Sequence, residues 1–293
     1  MEAVLECTSL TKNYGKAEAV RNVDFKLEEG VIYGLLGRNG AGKTTLLNMI
    51  GGGTFPDYGL IEIAGKRLTR GDTPDGLCYV REKNYFLGGA RVMEMLEIAS
   101  AFHRNWSWEL ANDLLKTFNL NPGKKIRQLS RGMESLVGNV IGLASRAPIT
   151  IYDEPVLGLD VLMRERFYRA LMEDYAEQPR TILLSTHLID EIATVVERIY
   201  IMDSGSILLH DEVDNLRARS FILRGAADRI DAIVRNKKTI HREQYGSGGA
   251  VVALFDALDE NEKMEANRAG VFVDELPLQK FFAYLVGGER QGE

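Results

Sequence analysis

The sequence predicts an α/β fold, in which a parallel-sheet core holds a phosphate-binding loop and a small α+β module follows it. Three observations predict it. First, Gly37-Arg38-Asn39-Gly40-Ala41-Gly42-Lys43-Thr44 matches G-x-x-x-x-G-K-[ST]. It lies between an apolar strand pattern, Val31-Ile32-Tyr33-Gly34-Leu35-Leu36, and a helical one, Thr45-Leu46-Leu47-Asn48-Met49-Ile50. Second, Ile149-Thr150-Ile151-Tyr152 and Ile182-Leu183-Leu184-Ser185 read as buried strands, each followed by a helical pattern. Third, the pattern changes after about Leu216, where shorter strands and helices take over.

Within the core, Val20-Arg21-Asn22-Val23-Asp24-Phe25-Lys26-Leu27 alternates as a half-buried strand does, and Leu60-Ile61-Glu62-Ile63 is another strand. Leu77-Cys78-Tyr79-Val80 is a short buried strand. From about Ala90 to Ser145 the period becomes helical, as in Val92-Met93-x-Met95-Leu96-x-Ile98-Ala99, which marks a helical insertion over about 88–146. Beyond Leu216, Phe221-Ile222-Leu223 reads as a strand and Ile230-Asp231-Ala232-Ile233-Val234 as helix. Strands follow at 239–245 and 250–255, then a polar helix at 261–267, a strand at Val271-Phe272-Val273 and a closing helix at 279–286. The order β-α-β-β-α-β predicts a ferredoxin-like module over 217–293, with Gly246-Ser247-Gly248-Gly249 as its hairpin turn.

The chain has 293 residues, enough for one medium domain (1–216) and one small one (217–293). A hydrophobic content of 45% supports a real core, and a net charge of −6 argues against broad nucleic-acid binding. Cys7 and Cys78 lie far apart in no metal-type spacing and are expected to be buried thiols in a reducing compartment. The start, Met1-Glu2-Ala3-Val4-Leu5-Glu6, has no basic region of a signal peptide, and no apolar run approaches the roughly 20 residues of a membrane span. A membrane role is therefore expected to run through a partner.

In the Gly37–Thr44 loop, backbone N–H groups and a helix N-terminus converge on one spot, which suits a polyphosphate. Lys43 is placed to reach the β- and γ-phosphates and the Thr44 hydroxyl to hold Mg²⁺. Ile149-Thr150-Ile151-Tyr152-Asp153-Glu154 is an apolar strand ending in two acids, suited to a metal ligand and a water-activating base. Leu129-Ser130-Arg131-Gly132-Met133, Gly158-Leu159-Asp160 and Ser185-Thr186-His187 complete the pattern, and residues 1–215 together resemble the ATP-binding subunits of ABC transporters.

That resemblance implies an ATPase of P-loop ABC type, with an antiparallel β subdomain and a helical subdomain added to the core. It implies ATP and Mg²⁺ as ligands. Asp153, with Thr44, becomes the Mg²⁺-shell residue, and Glu154 orients or deprotonates the attacking water. His187 contacts the γ-phosphate and steadies Glu154, so Lys43, Glu154 and His187 carry catalysis. Gly37, Arg38, Asn39, Gly40, Ala41, Gly42, Lys43, Thr44 and Thr45 hold the phosphates, and Tyr14 stacks on adenine. Ser130 and Gly132 occupy the signature segment, which in the family caps the γ-phosphate held by the opposite subunit. Three positions depart from the family pattern: Arg131 replaces a signature glycine, Met133 replaces the signature glutamine, and Glu82 stands where the family has a glutamine near Mg²⁺. Glu82 is expected to be a metal-shell residue.

The partners implied are a separate transmembrane permease and a second cassette, either another copy or a sister subunit. The protein is then cytoplasmic, peripheral on the inner face of the membrane. Phe102-His103-Arg104-Asn105-Trp106 and the helix at 109–120 resemble the antibiotic-peptide group of ABC-2 exporters, with an antibiotic, peptide or lipid as cargo. The alternatives are a soluble ABC ATPase of translation or DNA repair and a P-loop kinase or GTPase. The first lacks a tandem cassette, and the second lacks the guanine-reading N/T-K-x-D motif.

Overall fold

The computed structural model describes residues 2–83 and 85–288. The chain forms two compact units. The first runs to His187 and resumes over Arg198–His210; the second comprises Leu188–Glu197 and the chain from Asp211 on.

In chain order the first unit contains β1 (Ala3–Tyr14), β2 (Ala17–Glu28), β3 (Ile32–Leu36), α1 (Lys43–Ile50), β4 (Tyr58–Ile63), β5 (Lys66–Arg67) and β6 (Leu77–Val80). Next come α2 (Val92–Ser100), α3 (Trp108–Thr117), α4 (Arg131–Ser145), β7 (Ile149–Asp153), α5 (Val161–Glu177), β8 (Thr181–Thr186), β9 (Arg198–Asp203) and β10 (Ser206–Glu212). A six-stranded sheet has the order β10-β9-β3-β8-β7-β6, and β9, β3, β8, β7 and β6 pair in parallel. Its inner strands read as unbroken apolar runs because both faces are covered; every residue of β3, β7 and β8 is buried. A second sheet, β2-β1-β4-β5, is antiparallel. One core serves both sheets: Leu5, Phe25 and Ile61 from the antiparallel sheet join Tyr33, Ile151 and Tyr200 from the parallel one, with Leu46 and Met49 of α1 among them. Phe25 and Tyr200 meet at 4.3 Å between ring centroids, and the Tyr200 hydroxyl donates to the Lys26 carbonyl at 2.6 Å.

The helical insertion is built from α2, α3 and α4. Ser107 caps α3, accepting from the Leu110 N–H at 3.2 Å. The same helix stops at Thr117, short of the expected residue 120, because Asn119 turns into the left-handed region (φ 52°). Ser130 caps α4 and Asp160 caps α5 in the same manner.

The second unit contains α6 (Ile189–Ile192), α7 (Val213–Arg219), β11 (Ser220–Ala226), α8 (Ala227–Val234), β12 (Thr239–Tyr245), β13 (Gly249–Phe255), α9 (Glu260–Arg268), β14 (Phe272–Glu275) and α10 (Leu278–Gly288). The strands pair antiparallel in the order β12-β13-β11-β14. With β13 lying between β11 and β12, this is the ferredoxin-like split βαβ that the strand and helix order predicts. Leu223, Val252 and Leu254 pack on one face with Ile230 of α8 and Ala266 of α9. On the other face Phe255 meets Phe281 of α10 edge-on at 4.9 Å. Leu188–Glu197 is held within this unit by side chain–backbone bonds: the Arg217 guanidinium donates to the Ala193 carbonyl (2.9 Å), and the Gln279 N–H to the Asp190 carboxylate (3.2 Å).

In the first unit Phe167 of α5 is fully buried and lies edge-on to Tyr152 of β7 at 5.6 Å. Phe167→Ala is expected to cost about 3–5 kcal/mol, because it removes a large apolar contact and leaves a cavity behind the strand that carries the acids. Urea unfolding of the two proteins measures it.

Candidate active site

The phosphate loop connects β3 to α1 through close backbone approaches. Gly42 stands at φ 105°, and a Cβ there would run into the Ala19 carbonyl oxygen and approach the Met202 side chain to 2.7 Å. A Cβ at Gly37 would meet the Met202 carbonyl oxygen at 2.6 Å. Both positions are therefore glycine for steric reasons. Gly42 is also the N-cap of α1, and no side chain caps this helix. Its first-turn N–H groups are left to serve an anion.

The acids arrive on β7. Parallel pairing sets Asp153 beside Ser185 of β8, whose hydroxyl donates to Asp153 Oδ1 at 2.7 Å. The Thr44 hydroxyl also bonds this carboxylate, and the Tyr79 hydroxyl stands 3.5 Å from Oδ2. Burial raises the Asp153 pKa above its ordinary value; the Ser185 and Thr44 bonds oppose the rise. Glu154 follows in the left-handed region at φ 51°. Its N–H donates to the Ser185 carbonyl (3.0 Å), and its own carbonyl accepts from the Leu157 N–H (3.1 Å). Such a conformation in a non-glycine residue costs about 1–3 kcal/mol and persists only where its surroundings hold it.

This turn aims the Glu154 carboxylate at two partners. Oε1 is 3.4 Å from Lys43 Nζ, and Oε2 is 3.0 Å from His187 Nδ1. Lys43 also donates to the Gly37 carbonyl at 2.8 Å. The Lys43 and Glu154 side chains are only 6% and 7% exposed, so each charge depends on the other. A carboxylate accepts, so the His187 Nδ1 is the protonated nitrogen in this contact.

One pocket of about 540 Å³ gathers most of the expected residues: Arg38, Asn39, Gly40, Ala41, Gly42, Lys43, Thr44 and Thr45, together with Glu82, Glu154 and His187. Gly37 and Asp153 lie behind this lining, through the Lys43 and Thr44 bonds. Tyr14 stands outside it, 53% exposed at the end of β1. Ser130 and Gly132, at the start of α4, are not part of it either.

Residues 20–157 match the ABC transporter family. The chain is 26% identical over 293 residues to the ABC transporter ATP-binding protein YtrB of Bacillus subtilis, covering 98% of this chain and 100% of that one. The chain carries an ABC transporter ATP-binding domain. It is similar at the same identity to the bacitracin transport ATP-binding protein BcrA of Bacillus licheniformis, over 98% of this chain and 99% of that protein. A solved ATP-binding subunit of an ABC transporter superposes with a TM-score of 0.65 at 28% identity, over 73% of this chain and 92% of that one. The chain is thus the ATP-binding subunit of a transporter, and its reaction class is ATP hydrolysis. Among the described residues, no helix is long and apolar enough to cross a membrane.

Within the cassette, Ser130 accepts from the Met133 N–H at 3.3 Å. Gly132 lies so close to the Gly158 carbonyl that a Cβ would sit 2.9 Å from it, which ties the signature segment to the Gly158-Leu159-Asp160 turn. Two of the three departures from the family pattern meet each other: Arg131 Nη2 donates to Glu82 Oε1 at 2.8 Å. Ser185 and Tyr79, which hold Asp153, lie in strands legible from the sequence, but no sequence signal gives them that role.

The raised Asp153 pKa has a consequence for the metal-free chain. Its folded pKa exceeds the ordinary 3.8, so the group's stability is full below that value and falls as pH rises through the folded pKa. Asp153→Asn is therefore expected to raise the melting temperature at neutral pH in EDTA, with the gain shrinking as pH falls toward 3.8. Thermal melts across pH measure it.

Proposed function

We propose that the cassette powers an exporter through an ATP-driven dimer, hydrolysing ATP to ADP and phosphate at the site just described. The observation that carries this reading is the convergence of Lys43, Glu154 and His187 on one pocket behind the phosphate loop, with contacts of 3.0–3.4 Å. Lys43 and the loop N–H groups neutralise the phosphates as the ammonium exchanges its carboxylate partner for phosphate oxygens. Glu154 takes the proton of the attacking water, and His187 holds that carboxylate in register.

The donors near the phosphates are all oxygens: the Thr44 hydroxyl, the buried Asp153 carboxylate and, at the edge, Glu82. That set fits Mg²⁺, which binds through one or two carboxylates plus substrate phosphates. Thr44 and Asp153 would hold the ion, which would supply positive charge to offset that of the phosphates. Glu82 has one carboxylate oxygen engaged by Arg131 and keeps the other for such a role. Equal Mg²⁺ dependence of hydrolysis in the unmodified chain and Glu82→Ala would remove Glu82 from the metal shell.

Ser130 is exposed at the α4 N-terminus and outside its own chain's pocket. This supports a role for Ser130 and Gly132 against ATP held by a second copy or a sister subunit, with Tyr14 stacking on adenine. The exposed apolar side chains Tyr85, Leu87, Ile98 and Phe102 support docking of residues 83–104 on a permease at the inner face of the membrane. The bacitracin transport relative supports export of an antibiotic, peptide or lipid. In this reading residues 1–216 are the cassette and 217–293 an accessory domain for dimerisation or regulation.

Glu154→Gln is expected to slow hydrolysis by about 10²–10⁴-fold and to accumulate an ATP-bound dimer, seen by light scattering. A monomer at saturating ATP would overturn the dimer. Truncation after Leu216 is expected to weaken dimerisation or change the coupled ATPase rate; if neither changes, the accessory role is lost.

A further inference from the structure

Arg131 and Glu82 each break a local rule. Arg131 is the first residue of α4, where the helix dipole disfavours a cation. Glu82 puts a carboxylate in the lining of a pocket built for a triphosphate. Either residue alone is an electrostatic cost, and together they form an ion pair with a 2.8 Å contact. Their side chains are 70% and 38% exposed, and a pair so open to water adds little to folding stability. The pair therefore has no strong structural purpose, and its location points to the pocket. Glu82 follows β6 and lines that pocket; Arg131 does not line it and reaches it only through Glu82.

We propose that Arg131 is a positioning residue for ATP binding. Its guanidinium takes up and orients the Glu82 carboxylate, so that a triphosphate enters without meeting an uncompensated anion. These two departures from the family pattern are then one compensated substitution, and the affinity of the pocket for ATP depends on both together. The inference rests on the pocket being the ATP site.

The experiment measures binding of a fluorescent ATP analogue to the full chain in EDTA, which separates the charge effect from any metal role of Glu82. Arg131→Gly is expected to weaken binding about tenfold, with a larger loss at low ionic strength. Arg131→Lys retains most of the affinity. Adding Glu82→Gln to Arg131→Gly returns the affinity to that of Glu82→Gln alone. In steady-state hydrolysis, Arg131→Gly raises KM more than it lowers kcat. The proposal is overturned if Arg131→Gly binds the analogue as the unmodified chain does, or if it loses the same factor with and without Glu82→Gln. An unmodified chain that binds no ATP at all overturns the reading of the pocket as well, so the two failures are distinct.

Discussion

Burial of the Lys43 ammonium against the Glu154 carboxylate is the constraint on which the cassette unit depends. Two charges in a site 6–7% exposed are tolerable only if each stays beside the other. That requirement fixes the loop between β3 and α1 relative to the turn after β7, although these segments lie more than a hundred residues apart. It also explains the strained backbone at Glu154. An extended residue there would continue the strand; the left-handed turn swings the carboxylate onto Lys43 and His187, and two backbone bonds hold it.

The neighbouring Asp153 shows what the parallel sheet contributes. β7 ends at Asp153 and the left-handed turn follows at once in Glu154, so one strand end serves two purposes. Asp153 turns to Ser185 and Thr44, Glu154 to Lys43 and His187. β8 lies between β3 and β7; Ser185 near its end holds Asp153, and His187, just beyond that end, holds Glu154. The charges of Lys43 and Glu154 are satisfied internally; in the proposed mechanism a polyphosphate replaces Glu154 as the partner of Lys43 and frees that carboxylate for water.

The α4 N-terminus shows how local chemistry and family pattern part company. Ser130 and Gly132 follow the pattern, one as a cap and the other as a close approach to the Gly158 carbonyl. Arg131 between them does not, and its partner lies 49 residues earlier in the chain. A departure at one position is compensated at another that no local rule connects to it.

The sequence by itself determined the element types and the chemistry at strand ends. Short β-branched apolar runs such as Ile149-Thr150-Ile151-Tyr152 favour buried strands, and Gly37–Thr44 carries its own geometry, because glycine and a following helix dictate where N–H groups point. The order of the second unit's strands and helices was enough to predict its split βαβ topology. Tertiary structure alone decided what depends on distant pairing. It set the register that brings Ser185 to Asp153, the left-handed turn at Glu154, and the Arg131–Glu82 contact. It also assigned Leu188–Glu197 to the second unit and made a sheet strand of Ile199-Tyr200-Ile201-Met202, beside β3. The physical reason is common to all of these: propensity and periodicity act over a few residues, whereas charge compensation and strand register are settled only when remote segments are packed together.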